Sequence, residues 1–281
     1  VTFLPKCHID NPAKISAELS ALFGGDARAA ELHGPGDPAL LLPAEAAFLG
    51  RAVPKRAQEF AAGRVCARRA LAEFGFMDFA IERAADRQPI WPQGMVGSIT
   101  HTTGFCAAVA AARDSTAAIG LDTEVAGGDP FGGTLGGTAP GGTPPGGTPI
   151  GGAQPHLWPS ICDASEIEWL ETLPEPARTP AATLIFSAKE AFYKCQYPLT
   201  LEPLGFHDAR IEIIDWGGRS GAFTIAATRQ IAFAGWAALP MVGRYRFHGQ
   251  FVTSGLRLSR ELSKEVFSER DRRFFHEPIK N

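Results

Sequence analysis

The chain has 281 residues and a mass of 29.9 kDa, room for one large domain or two of about 100–150 residues each. It is 45% hydrophobic and 20% charged, the mixture of an ordinary globular protein. Its 27 Lys and Arg against 30 Asp and Glu leave a net charge of -3, which excludes a surface built throughout as an electrostatic glove for nucleic acid. No apolar run approaches the roughly 20 residues that cross a bilayer, and VTFLPKCHID lacks a basic start followed by an apolar stretch. Five scattered cysteines (Cys7, Cys66, Cys106, Cys162 and Cys195) include no CxxC pair and read as buried thiols in a reducing compartment. A cytoplasmic protein without membrane insertion is expected.

In chain order, the first strong element is PKRAQEFAAGRVCARRALAEF, residues 54–74. Phe60, Ala67, Leu71 and Phe74 recur at near-helical spacing, and Gly75 stands where a helix C-cap belongs. Arg51, Lys55, Arg56, Arg64, Arg68 and Arg69 face a single acid, Glu59, which makes this either a solvated basic face or an anion site, since guanidinium forks match phosphate oxygens. MVGSITH and GFCAAVAAA then read as two strands joined near His101 to Gly104. Thr100 and His101 sit at that strand end, with Arg87 shortly before in DRQPIWP. His101 is either an ordinary surface or core histidine or a donor to phosphate.

AAIGLDTEV is an apolar strand ending in acids. Alternate residues share a face, so Asp122 and Glu124 point the same way with Cα atoms about 6.5–7 Å apart. Either the strand simply ends in water, or the two carboxylates converge on a cation. All-oxygen ligation favours Mg²⁺, with Mn²⁺ as a substitute. From Val125 to Pro155 the chain is mostly Gly, Thr and Pro with one charge, Asp129, and GGT recurs four times. That composition reads as a flexible insertion; a phosphate cradle would require a nearby Lys, and no Lys or Arg lies between Arg113 and Arg178.

Downstream, helices are expected over residues 165–172 and 183–196, followed by alternating strands in ARIEIIDW, GAFTIAATRQ, IAFAGWAAL and GQFVTSGLRL. The segment FSAKEAFYK carries Ser187 and Glu190 in the spacing of a capping box, with Phe186 and Ala191 as a staple, and Glu190 and Lys194 as an i,i+4 pair. The same helical start, crowded with Lys189, Glu190 and Lys194, equally suits a phosphate–metal site. Residues 259–281 are dense in both charge signs and read as a solvated helix or tail.

In this order and spacing, KRAQEFAAGRVCARRAL, RQPIWPQGMVGSITH, IGLDTE and FSAKEAFYK resemble the successive motifs of the 4′-phosphopantetheinyl transferases, in the enterobactin synthase component D-like and surfactin-type branch. The resemblance implies an α+β pseudo-dimer of two similar subdomains with the active site between them: residues 1–113, residues 114–258 interrupted by the insertion at 126–155, and a tail at 259–281. It further implies transfer of 4′-phosphopantetheine from coenzyme A to a serine of an apo acyl or peptidyl carrier protein. The reaction would be Mg²⁺-dependent, release 3′,5′-ADP, and serve siderophore or other secondary-metabolite synthesis, carried out by a monomer. Asp122, Glu124 and Glu190 would hold the cation, with Asp122, Glu190 and Lys194 catalytic. Arg56, Arg64, Arg87, Thr100, His101, Lys189 and Lys194 would contact coenzyme A. A homologue that binds coenzyme A or a carrier without turnover is the alternative.

Overall fold

The computed structural model describes residues 11–131, 151–229 and 241–261. It opens with β1 (Lys14–Ser16), α1 (Ala17–Ser20) and β2 (Arg28–His33). A short helix α2 (Pro43–Ala46) and the long α3 (Pro54–Ala72) follow, then β3 (Met95–Thr102), β4 (Phe105–Ala112) and β5 (Thr116–Val125). After the insertion come α4 (Trp158–Ile161), α5 (Ala164–Thr172), α6 (Glu175–Thr200), β6 (Ala209–Ile213), β7 (Ser220–Ala227), β8 (Met241–His248) and β9 (Phe251–Ser259). The strands form two antiparallel sheets, one ordered β1-β2-β4-β3 and the other β5-β9-β8-β7-β6. The stretch IAFAGWAAL and residues 262–281 of the charged tail lie outside the described residues.

The apolar pattern of β4 explains the layering. Cys106, Ala108 and Ala110 pack with Val65, Cys66 and Ala70 of α3, whereas Phe105, Ala107, Val109 and Ala111 pack with Ile119, Leu121 and Phe251 of the second sheet. A strand buried on both faces needs an unbroken apolar run, which FCAAVAA supplies. On the far side, α6 lies against the second sheet through Ala188, Phe192 and Cys195, which pack with Val252, Leu256 and Leu258. The α3 helix closes as its sequence suggests: Gly75 has φ +83°, the Phe76 amide reaches Leu71 O and the Gly75 amide reaches Ala72 O, a Schellman stop.

Two edge strands, β3 and β5, meet where the sheets meet. Ser98 Oγ accepts from the Leu121 amide at 3.1 Å, and Thr100 Oγ1 accepts from the Thr123 amide at 3.0 Å. Beside this seam Phe105 packs on Phe251 and His248, with ring centroids 5.0 and 5.3 Å apart. Burial holds the His248 imidazole down at about 4, so it stays neutral there while bonding Thr253 Oγ1 at 2.7 Å.

Two expectations are corrected here. Helix α6 begins at Glu175, about two turns before residue 183, because Pro176 falls in its first turn and Pro180 is buried in the core, where packing outweighs the one hydrogen bond that a proline forfeits. Ser187 is therefore mid-helix and fully buried, not an N-cap. The insertion also proves packed at its described ends. The Ala153 amide donates to Thr183 Oγ1 at 2.8 Å, and Phe131 stacks near Trp216 at 5.2 Å.

Gly120 sets how closely α6 approaches β5. A Cβ at this position would lie 1.9 Å from Ala191 O and 2.9 Å from the Cys195 amide nitrogen. A glycine inside a strand marks just such a close backbone approach. Gly120→Ala should cost about 1–3 kcal/mol or more, as overpacking against backbone does, and lower the urea midpoint accordingly. A midpoint equal to the parent's would mean that the strand and helix are not in backbone contact.

Candidate active site

Gly120, Asp122 and Glu124 share the face of β5 turned toward α6, so the glycine that admits the helix also brings Glu190 and Lys194 to the two acids. Ser187 Oγ donates to Asp122 O at 3.2 Å and pins the helix to the strand. Lys194 Nζ donates to Asp122 Oδ1 at 2.6 Å and to Leu121 O at 3.3 Å. Thr100 Oγ1 donates to the same Oδ1 at 3.2 Å. Asp122 is only 3% exposed, and its Oδ2 is buried with no hydrogen-bond partner among the described residues. An unpaired carboxylate oxygen in that position is costly.

The acids crowd one another. Burial, with the Asp122 and Glu190 charges added, pushes the Glu124 carboxyl up to about 7, against the lowering pull of Lys194. Burial likewise raises Glu190, with Lys194 opposing and Asp122 adding to the rise. Among the described residues no three His, Cys, Asp or Glu side chains are gathered closely enough to hold a metal ion by themselves. The donor set still fits a hard divalent cation that takes part of its shell from ligand oxygens and water: all oxygen, anionic, with one buried oxygen unpartnered.

The other sequence candidates divide. Arg56 Nη1 lies 3.0 Å from His101 Nε2 on the exposed edge beside Glu59, so α3 and the end of β3 do bring two anion-binding side chains together. Thr100 is inside the site, bonded to Asp122. Arg87 is exposed, with φ +76° in the turn that precedes β3. Arg64 is buried: its Nε donates to Ile81 O at 3.0 Å, its guanidinium lies 3.9 Å from the centroid of the Phe60 ring, and burial lowers its pKa to about 10. Lys189 is not brought into the group. Its ammonium, 3% exposed, donates to Glu166 Oε2 at 2.7 Å, Ile161 O at 2.8 Å and Phe206 O at 2.9 Å, which uses all three donors. There it anchors the chain around Phe206, which walls a cavity of about 300 Å³ beside Glu190, lined also by Phe192, Tyr193 and Leu204.

Comparison with known proteins follows the same outline. Residues 44–111 match the family model described as 4′-phosphopantetheinyl transferase N-terminal domain, and residues 148–245 match that of the 4′-phosphopantetheinyl transferase superfamily. Among curated proteins, the chain is similar to 4′-phosphopantetheinyl transferase Svp of Streptomyces mobaraensis, 39% identical over 183 residues that cover 64% of each chain. It is 33% identical to 4′-phosphopantetheinyl transferase PptT of Mycobacterium tuberculosis over 215 residues, 73% of this chain and 81% of the relative. It is 35% identical to enterobactin synthase component D of Salmonella typhi over 160 residues, 56% of this chain and 55% of the relative.

The crowding has a pH signature. Glu124 and Glu190 have folded-state pKa values above their unfolded values, so they bind protons more readily when folded, and the stability they contribute is present near pH 4.5 and lost as pH rises, through about 7 for Glu124. The metal-free protein should therefore lose on the order of 1–2 kcal/mol from this cluster between pH 5 and pH 8, a figure discounted for solvent at the partly exposed carboxylates. Glu190→Gln should flatten that dependence without lowering the melting temperature at pH 8, read by thermal denaturation in a chelator. An unchanged pH slope would mean that the acids do not act on one another.

Proposed function

This chain belongs to the 4′-phosphopantetheinyl transferase superfamily, and from that premise we propose that it moves the 4′-phosphopantetheine group of coenzyme A to a serine hydroxyl of an apo acyl or peptidyl carrier protein and releases 3′,5′-ADP. The observation that carries the reading is the buried Asp122 carboxylate with Oδ2 unpartnered, facing Glu124 and Glu190 and tethered by Lys194. The similarity to enterobactin synthase component D supports a role in siderophore or related secondary-metabolite synthesis. The two sheets, each backed by one long helix, support a pseudo-dimer with subdomains at residues 1–113 and 114–258, acting as a monomer.

Asp122, Glu124 and Glu190 would hold Mg²⁺ or Mn²⁺, which supplies charge neutralisation at the coenzyme A pyrophosphate. The protein's own groups do the rest. Glu190 takes the proton of the carrier serine, and burial brings its basicity nearer the working pH, where a general base is most effective. Lys194 has two of its three donors committed to Asp122 and Leu121 O, so its direction is fixed and the third can neutralise the departing 3′,5′-ADP. Arg56 and His101, close together at the exposed edge, receive phosphate oxygens, and exposed Arg87 adds a further guanidinium for them. The cavity beside Glu190, walled by Phe192, Tyr193, Leu204 and Phe206, offers the pantetheine arm an apolar resting place.

The test is mass spectrometry of an apo carrier protein incubated with the chain, coenzyme A and Mg²⁺. The carrier should gain one phosphopantetheine. Asp122→Ala should abolish the gain, and Glu190→Gln should slow it by roughly 10²–10⁴-fold, the scale of a general base. Binding of coenzyme A without any mass gain across a panel of apo carriers would favour the non-catalytic homologue instead.

A further inference from the structure

Asp122 and Ser254 are partners in the β5–β9 ladder. Directly opposed residues in an antiparallel pair point to the same face, with Cβ atoms about 4.5–5.5 Å apart. That face is the one covered by α6, because Gly120 and Leu256, the next pair along it, meet the helix and its core. Two unsatisfied atoms thus lie next to each other: Asp122 Oδ2, an acceptor, and Ser254 Oγ, a hydroxyl on a residue with 0% exposure, neither with a hydrogen-bond partner among the described residues. The neighbouring hydroxyl on β8, that of Tyr245 opposite Ser254, is already committed to Asp215 O at 2.6 Å. A buried orphan hydroxyl is uncommon in a folded protein and calls for an explanation in terms of a missing partner. An orphan hydroxyl and an orphan carboxylate oxygen in adjacent positions on one face call for the same missing partner.

We infer that Ser254 is a positioning residue of the cation site. Its hydroxyl, on the β9 position facing Asp122, donates to one oxygen in the shell of the cation that Asp122 Oδ2 ligates from β5. Mg²⁺ keeps several waters when it binds to few carboxylates, and groups that orient such ligands from behind commonly change metal affinity by 10–100-fold. This rests on the reading of Asp122, Glu124 and Glu190 as the cation ligands given above.

The experiment titrates Mn²⁺ into the full chain without coenzyme A and reads the free aquo ion by electron paramagnetic resonance, alongside urea unfolding in a chelator. Ser254→Ala should weaken Mn²⁺ binding about tenfold or more. Its metal-free urea midpoint should hold or rise, because the substitution removes an unsatisfied buried hydroxyl. Equal Mn²⁺ affinity in parent and variant, whether or not stability falls, overturns the inference. Failure of the parent chain to bind Mn²⁺ at all is a different result: it removes the cation reading of the three carboxylates and this inference with it.

Discussion

Strand β5 turns the amides of Leu121 and Thr123 away from its ladder partner β9 and toward β3, and two side-chain hydroxyls accept them. A buried amide left unpaired costs about as much as a lost hydrogen bond, so an edge strand packed inside a protein must find acceptors somewhere. Ser98 and Thr100, two residues apart on one face of β3, match the two-residue period of β5 and supply them. The Thr100 hydroxyl then has one proton to give, and it gives it to Asp122 Oδ1. The seam that joins the two sheets and the contact that orients the first acid of the site are the same atom.

The remaining site geometry follows from what presses on β5 from the other side. Gly120 lets α6 lie with its backbone against the strand, Ser187 fixes the register by bonding Asp122 O, and Lys194, about two turns later, reaches back to Asp122 Oδ1. Asp122 is thus clamped between β3 and α6, with one oxygen doubly satisfied and the other without a partner among the described residues. Glu124 and Glu190 sit in the same low-dielectric surroundings, and burial pushes both upward against the opposing charge of Lys194. This is an arrangement that costs stability in the unliganded protein, the usual mark of a site shaped for ligand binding over packing.

Much of this was legible in the residues. MVGSITH and GFCAAVAAA read as two strands joined by a turn, IGLDTE placed two carboxylates on one face, and Gly75 marked the end of α3. What the sequence hid are relations between elements distant along the chain. The S-x-x-E spacing at Ser187 and Glu190 is identical for a capping box and for two positions inside a longer helix; only the burial of Pro180 decides between them. Lys189 stands beside Glu190 in sequence but leaves the helix in another direction, into a pocket formed by Glu166, Ile161 and Phe206. Arg64 shares a face with Arg68, yet both turn into the protein: Arg64 Nε bonds Ile81 O, and Arg68 bonds Glu45 and Leu40 O. Ser98 and Ser254 carry no motif, since their roles depend on strand pairing 23 and 132 residues away in the chain. A glycine within IGLDTE was the one local sign of the close helix approach. Strands β1 and β2 gave little pattern, being short or covered on both sides.

The account stands on Thr100 joining the sheet seam to the Asp122 carboxylate, and amide hydrogen exchange at single-residue resolution measures that joint directly. In the parent protein the amides of Leu121 and Thr123 should both exchange slowly. In Thr100→Val, which keeps the shape and removes the hydroxyl, Thr123 should exchange roughly 5–150-fold faster, the equivalent of about 1–3 kcal/mol for an unsatisfied buried amide, while Leu121, held by Ser98, keeps its protection. Equal protection of Thr123 with and without the hydroxyl would contradict the account.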